Sequence, residues 1–465
     1  MTATGVAPDT DAPASEPLAR RPRWQRFGAA TVPPLIALLA GWALLAIRSR
    51  QHGTALFNAS TWARWDSGQY LRLARIGYFG SYHCKSGQVP PHPPPGPLFC
   101  GNTGWFPGYP AGTRGLVDVT ALSVPVAGLI IAWTCWYLVL VLMWQLLAGA
   151  RSATSRWICL FVAAFFPGQV YFAALFPISL CIAAVLACLL LVTREVRHPL
   201  LCGGLAALAG AAAAYSYITP IAVAPALLIT AVLAVRGWRR LQYVLGAIGI
   251  AAGFGAVLLT MQVMVGYWNG YFLSTAKYGV GAHSPIDTIG DRLSPLWEAQ
   301  PAGREFLAVT ASQTLLTLLL VLLVTLTTLI PAFRRPAADS SPRSDADRGD
   351  RADRPEADRA DRPEADRIEG DSGDRDRLSG YGRFQAAVAA RVAPRDIAVL
   401  LAAGGVWLVP YIAGGQASTY RSEAFVVIAV PLLRRLPPWL LAIVLAAAVV
   451  TAWRMAPYFF NAKLI

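Results

Sequence analysis

Long apolar blocks constrain this chain more than any motif does. They lie near residues 33–48, 119–148, 157–173, 178–193, 200–214, 218–235, 243–265, 307–330, 396–412, 423–433 and 437–453. A backbone that crosses hydrocarbon must satisfy its own hydrogen bonds, so only helices or a closed barrel can do it. Barrel strands would show short alternating runs; these blocks are continuous. They predict an all-α, polytopic membrane protein of about 10–11 transmembrane helices. Several blocks fall short of the ~20 residues of a straight span, and 157–173 with 178–193 reads as two short helices meeting at Pro177.

Composition narrows the class further. Of 465 residues, 55% are hydrophobic and 14% charged, where a soluble domain carries about a quarter charged. In a soluble chain the formal net charge of +14 would suggest nucleic acid. Here the arginines sit at the ends of apolar blocks, as the positive-inside rule requires. The expected partners are therefore membrane lipids and not nucleic acid.

Arg151, Arg156, Arg194, Arg197, Arg236, Arg239, Arg240, Arg434 and Arg435 fall on one side of the threading, together with the N-terminus. The expectation is a multi-pass plasma-membrane protein with a cytoplasmic N-terminus and with loops 49–118 and 266–306 outside. Residues 1–32 read as a disordered cytoplasmic lead and not a cleavable signal peptide. Residues 33–335 form the main transmembrane core, and 381–465 the C-terminal helices. Between them, 336–380 repeats the octet Arg-Ala-Asp-Arg-Pro-Glu-Ala-Asp from Arg351 and again from Arg359. It has too few apolar residues to bury a core and reads as a disordered cytoplasmic linker.

The chemistry concentrates just after the first block, in Thr61-Trp62-Ala63-Arg64-Trp65-Asp66-Ser67-Gly68-Gln69-Tyr70-Leu71-Arg72-Leu73-Ala74-Arg75-Ile76-Gly77-Tyr78-Phe79. Leu71, Ala74 and Tyr78 recur at helical spacing beside Arg72 and Arg75, which predicts an amphipathic helix in the membrane interface. Asp66 at its start has two readings: an N-cap, or a carboxylate that takes a proton from an acceptor hydroxyl. Trp62 and Trp65 read either as interfacial belt residues or as platforms for a sugar or lipid. Arg64, Arg72, Arg75, Lys277 and Arg421 are candidates to grip a phosphate, and lipid head groups are the competing use of Arg72 and Arg75.

Cys84 and Cys100 share one outer loop and read as a disulfide. A metal site with His83 and His92 is the alternative, although the spacing fits no strong zinc pattern. Cys135, Cys159, Cys181, Cys188 and Cys202 lie in apolar blocks and read as small buried residues. Asp287, Asp291, Glu298 and Glu305 read as a solvated surface. Mid-span charge is almost absent, and no internal repeat stands out. That weighs against a transporter, flippase or non-catalytic scaffold, the rival class.

The Trp65-Asp66 pair with Tyr70, followed by Ile76-Gly77-Tyr78, resembles the PIG-V family, the second mannosyltransferases of GPI-anchor assembly and their bacterial relatives. Trp105-Phe106-Pro107-Gly108-Tyr109-Pro110 is similar to a second family block, and Phe165-Phe166-Pro167 with Tyr171-Phe172 and Ser179-Leu180 to a third. Ser418-Thr419-Tyr420-Arg421 is a weak fourth. The resemblance implies a GT-C membrane glycosyltransferase fold and transfer, by inversion, of a hexose such as mannose from a polyprenyl-phosphate donor to a glycolipid or other glycan acceptor. It implies a non-cytoplasmic site with Asp66 as the essential acid; read from the residues themselves, Trp62, Arg64, Trp65, Tyr70, Trp105, Lys277 and Arg421 are expected about the substrates. The resemblance fixes no cofactor, and a divalent cation at the leaving phosphate stays open. Two family features are missing. A carboxylate is absent from Phe176-Pro177-Ile178, and an arginine is absent from Ala214-Tyr215-Ser216-Tyr217.

Overall fold

A computed structural model describes residues 23–78, 84, 89, 98–194, 198–276, 280–333, 392–414 and 419–463. The 336–380 linker, Lys277, His83 and His92 lie outside them. Among the described residues the fold is all-α, as the apolar blocks predict. Seven helices are long and apolar enough to cross a membrane, and three shorter apolar helices of 10–17 residues accompany them.

The first helix, α1 (Arg23–Gln51), starts inside the stretch expected to be disordered and runs through Pro33 and Pro34. A proline in a helix interior leaves the carbonyl four residues back without its donor. Here the Trp144 indole supplies one for Pro33, donating to Ala29 O at 2.9 Å, while Tyr137 Oη adds a further tie, donating to Thr31 O at 3.1 Å. Both side chains belong to α5 (Val124–Leu146), which packs against α1. The neighbour's donors let the first helix extend past its prolines.

The stretch 49–118, expected as an outer loop, carries secondary structure at its described residues. It holds α2 (Ala59–Trp62), α3 (Ser67–Ile76), a 3-10 turn (Gly101–Gly104) and α4 (Gly108–Thr120). Cys84 and Cys100 are disulfide-bonded with their Cα atoms 4.8 Å apart. The expected amphipathic helix is α3, but its apolar face does not lie in lipid. Tyr70, Leu71, Leu73 and Ala74 are buried against protein, while Arg72 and Arg75 are exposed. Its packing partners α4 and α5 supply the apolar surface that a bilayer would otherwise have to provide.

The chain continues through α6 (Ala153–Ala164), α7 (Val170–Ala173) and α8 (Ile178–Thr193), with the expected break before Pro177. Next come α9 (Pro199–Ser216), α10 (Val223–Leu233) and α11 (Arg239–Val265). Small residues bring α9 and α11 together: a Cβ on Gly249 or Gly253 would fall inside the backbone of Ala207 or Ala211. Such close approach is how helices associate in lipid, where apolar burial alone gives little drive.

After α12 (Gly270–Ala276), α13 (Pro285–Leu293) and α14 (Phe306–Phe333) come α15 (Pro394–Ala413), the short α16 (Thr419–Glu423) and α17 (Pro438–Phe460). The block 423–433, expected as a span, is instead a 3-10 stretch, Ala424–Arg435. Phe425, Val426, Val427, Ile428 and Val430 are at most 1% exposed. Irregular backbone at membrane depth is tolerated where protein encloses it, and this segment is wrapped by α5, α6, α8, α14 and α15.

Candidate functional site

Asp66 precedes α3 in the position of an N-cap, yet its side chain caps nothing. Its backbone is already in the α-region, φ −64° and ψ −13°, and not in the extended conformation that aims a capping oxygen at the amides. The N-cap reading is therefore wrong. The carboxylate turns the other way, because Trp65 before it adopts a left-handed backbone, φ +46°. That strained turn points Oδ2 at Arg421 Nη1, with which it forms an ion pair.

The two partners differ in setting. The Arg421 side chain is 7% exposed and that of Asp66 37%. Three rings surround the guanidinium: Phe176 at 5.3 Å, Trp65 at 5.8 Å and Tyr171 at 5.8 Å. Arg421 Nε is enclosed without a hydrogen-bond partner. Burial alone would pull the Arg421 guanidinium down. The Asp66 charge outweighs that penalty and holds it above its ordinary value, so it remains a cation. Asp66 Oδ1 makes no hydrogen bond among the described residues, and the side chain is partly open.

Tyr70 and Tyr217 flank the pair, and both feel its charges. Burial first, then neighbouring phenols and the Asp66 carboxylate, push the Tyr70 hydroxyl well above its usual range; burial raises Tyr217 as well. Both are neutral phenols that can donate a hydrogen bond. Tyr217 lies near Ser422, the neighbour of Arg421 in the chain. The arrangement is a half-open carboxylate paired with a buried cation, walled by aromatic rings and neutral hydroxyls.

The other expected site residues divide. Trp62 is 0% exposed, and its Nε1 donates to Leu56 O at 2.7 Å. It is a core residue and offers no open platform. Arg64 is committed to the C-terminal helix, donating from Nη2 to Phe460 O at 3.2 Å. Trp105 is half-buried, and its carbonyl accepts the Tyr78 hydroxyl at 2.6 Å. Asp287, Asp291, Glu298 and Glu305 are exposed, as expected of a solvated surface. No group of three or more His, Cys, Asp or Glu that could hold a metal ion occurs among the described residues.

Sequence reasoning missed two features. Tyr171, Phe176 and Tyr217 stood in motif stretches but were not recognised as walls of one site. Glu423 is 1% exposed inside the bundle, although mid-span charge had looked almost absent. A carboxylate at the head of the apolar block 423–433 was the signal available.

About two turns along α3 from Asp66, a groove of about 410 Å³ opens between α3, α4, α9 and α11. Leu73, Pro110, Tyr215 and Met264 make it mostly apolar, and Arg75 and Arg114 stand at its margin. No protein-family model, no curated protein and no solved structure matches the chain.

Proposed function

We propose that the chain is a membrane glycosyltransferase that moves a sugar, mannose being the first candidate, from a polyprenyl-phosphate donor to a hydroxyl acceptor at the extracytoplasmic face. The observation that carries this reading is the Asp66–Arg421 pair: a carboxylate with one oxygen open, joined to a buried cation suited to a phosphate. The adjacent apolar groove, with arginines at its margin, supports a donor that has a hydrocarbon tail and an anionic head. Arg421 could stand in for the guanidinium that the Ala214–Tyr217 corner lacks, since Tyr217 feels its charge.

The step balances as follows. The acceptor oxygen attacks the anomeric carbon from the face opposite the phosphate. The bond from that carbon to the phosphate oxygen breaks, and the phosphate keeps the electron pair. The hydroxyl proton passes to Asp66 Oδ1. A donor phosphate competes with Asp66 for Arg421, so its arrival frees the carboxylate as it positions the leaving group. The test incubates membranes with radiolabelled polyprenyl-phosphate mannose and candidate acceptors, comparing wild type with Asp66→Asn. Transfer in wild type that is lost in the variant, with donor affinity unchanged, assigns Asp66 to the chemical step.

Buried Glu423 favours one other reading, a transporter, because ionisable groups inside a bundle mark ion and substrate paths. Transport through Glu423 needs it to gain and lose a proton, so Glu423→Gln would abolish transport. Transfer by Asp66 is spared by that change.

A further inference from the structure

The Arg421 side chain is aimed by a turn that is itself tied down at two points. Gln313 Nε2 on α14 donates to Tyr420 O at 2.6 Å. Two residues past Arg421, Glu423 Oε1 accepts Thr314 Oγ1 from α14 and Tyr411 Oη from α15, each at 2.6 Å. One carboxyl oxygen thus clamps α16 to two long helices. The other oxygen, Oε2, is enclosed and has no partner. No ion pair involves Glu423 among the described residues. The charged group that faces it is Arg292 of α13, the titratable one is Tyr411 of α15, and Thr314 represents α14.

An ionised carboxylate would be poorly placed here. A buried charge without a counter-ion is among the most expensive groups in a protein, and a carboxyl group avoids the expense by taking a proton. Enclosure is what favours the neutral acid; the two hydroxyl donors oppose it but still allow it, with Oε1 accepting both as a carbonyl and the proton on Oε2, the oxygen that accepts nothing. We propose that Glu423 is held as a neutral carboxylic acid and is a positioning residue, gathering Thr314 and Tyr411 so that the α16 turn presents Arg421 to Asp66. The kinetic consequence of this proposal rests on the transferase reading; its two structural readouts do not.

The first readout is infrared spectroscopy of the purified protein, wild type minus Glu423→Gln. The expected difference is loss of the carbonyl band of a protonated carboxylic acid; loss of ionised-carboxylate bands instead overturns the protonation. The second is hydrogen exchange of the 419–423 amides. Glu423→Ala should raise exchange about tenfold or more, because it frees a locally tethered turn. Glu423→Gln, which keeps an uncharged acceptor, should not. Unchanged exchange in the alanine variant, or equal acceleration in both, overturns the positioning role. Where Glu423→Ala does not fold, Thr314→Val with Tyr411→Phe removes the same two donors and gives the same readout. In the transfer assay Glu423→Gln should stay within about threefold of wild type in kcat and KM, while Glu423→Ala raises the donor KM. Wild-type protein without transfer activity sinks the transferase reading and leaves the infrared and exchange results to decide this one.

Discussion

The molecule holds a second acid–arginine centre, and it contrasts with the first. Asp396, near the start of α15, is 0% exposed. It accepts Arg434 Nη2 at 2.5 Å on one oxygen and Arg435 Nη2 on the other. The opposite end of that helix, Ala413, lies about 26 Å along its axis at 1.5 Å per residue, and Arg421 follows it in the chain. At the Asp396 end both carboxylate oxygens are taken, and Arg434 donates again to Pro431 O at 2.7 Å. At the Asp66 end one oxygen is taken and one is open. The same two residue types thus build a closed fastening at one end and an incomplete site at the other. Saturation of the carboxylate, more than its pairing, is what differs between the two centres.

The largest expected effect breaks the closed centre. Asp396→Ala leaves two cations without their counter-charge and should destabilise the fold by about 3–5 kcal/mol, read as a loss of folded protein in detergent on heating. A variant as stable as wild type would erase the contrast. Next, Asp66→Asn should lower turnover on the order of a hundredfold, roughly 2.7 kcal/mol in the barrier, while folding normally. Near-normal transfer, normalised to folded protein, would remove Asp66 as the base.

A smaller effect sharpens the contrast. Asp66 is more than a third exposed, so water screens the pair, and Arg421→Gln should change stability by less than about 1 kcal/mol. It should nevertheless raise the donor KM about tenfold, since a charge-assisted hydrogen bond to the phosphate is lost. A stability loss as large as that of Asp396→Ala would place both centres in one class. The smallest expected effect is none. Deleting 336–380 should leave thermal stability and transfer unchanged, because its composition cannot contribute to a core; failure to insert or fold would overturn that.

The sequence made Asp66 and Arg421 individually legible, one from an aromatic-rich stretch and the other from a weak late motif. Their meeting was not legible. They stand 355 residues apart, and apolar blocks give helices without saying which helix ends share a face. The same gap explains Trp62. A tryptophan beside a membrane span looks alike whether it faces head groups or a core, and only packing against α17 decides it. Glu423 was hidden by the reverse logic: an apolar block reads as lipid-facing, whereas this one is wrapped by protein on every side and can carry an acid.

The seam between α9 and α11 has a mechanical consequence. Two helices whose backbones touch through glycine cannot slide or spread without opening a void, so they behave as a single plank. Tyr215 and Thr260, one from each, are joined by a hydroxyl contact of 3.3 Å and form one wall of the apolar groove. That wall is stiff. The opposing wall is made by the ten-residue α3 and by α4; α4 is pinned to the plank where a Cβ on Gly108 would meet the Ser216 backbone, whereas Gly68, the glycine of α3, has open space around it. A long flexible tail entering the groove would therefore push on the α3 side. Because α3 begins at Asp66, strain from the tail would be delivered to the end of the lever that holds the open carboxylate.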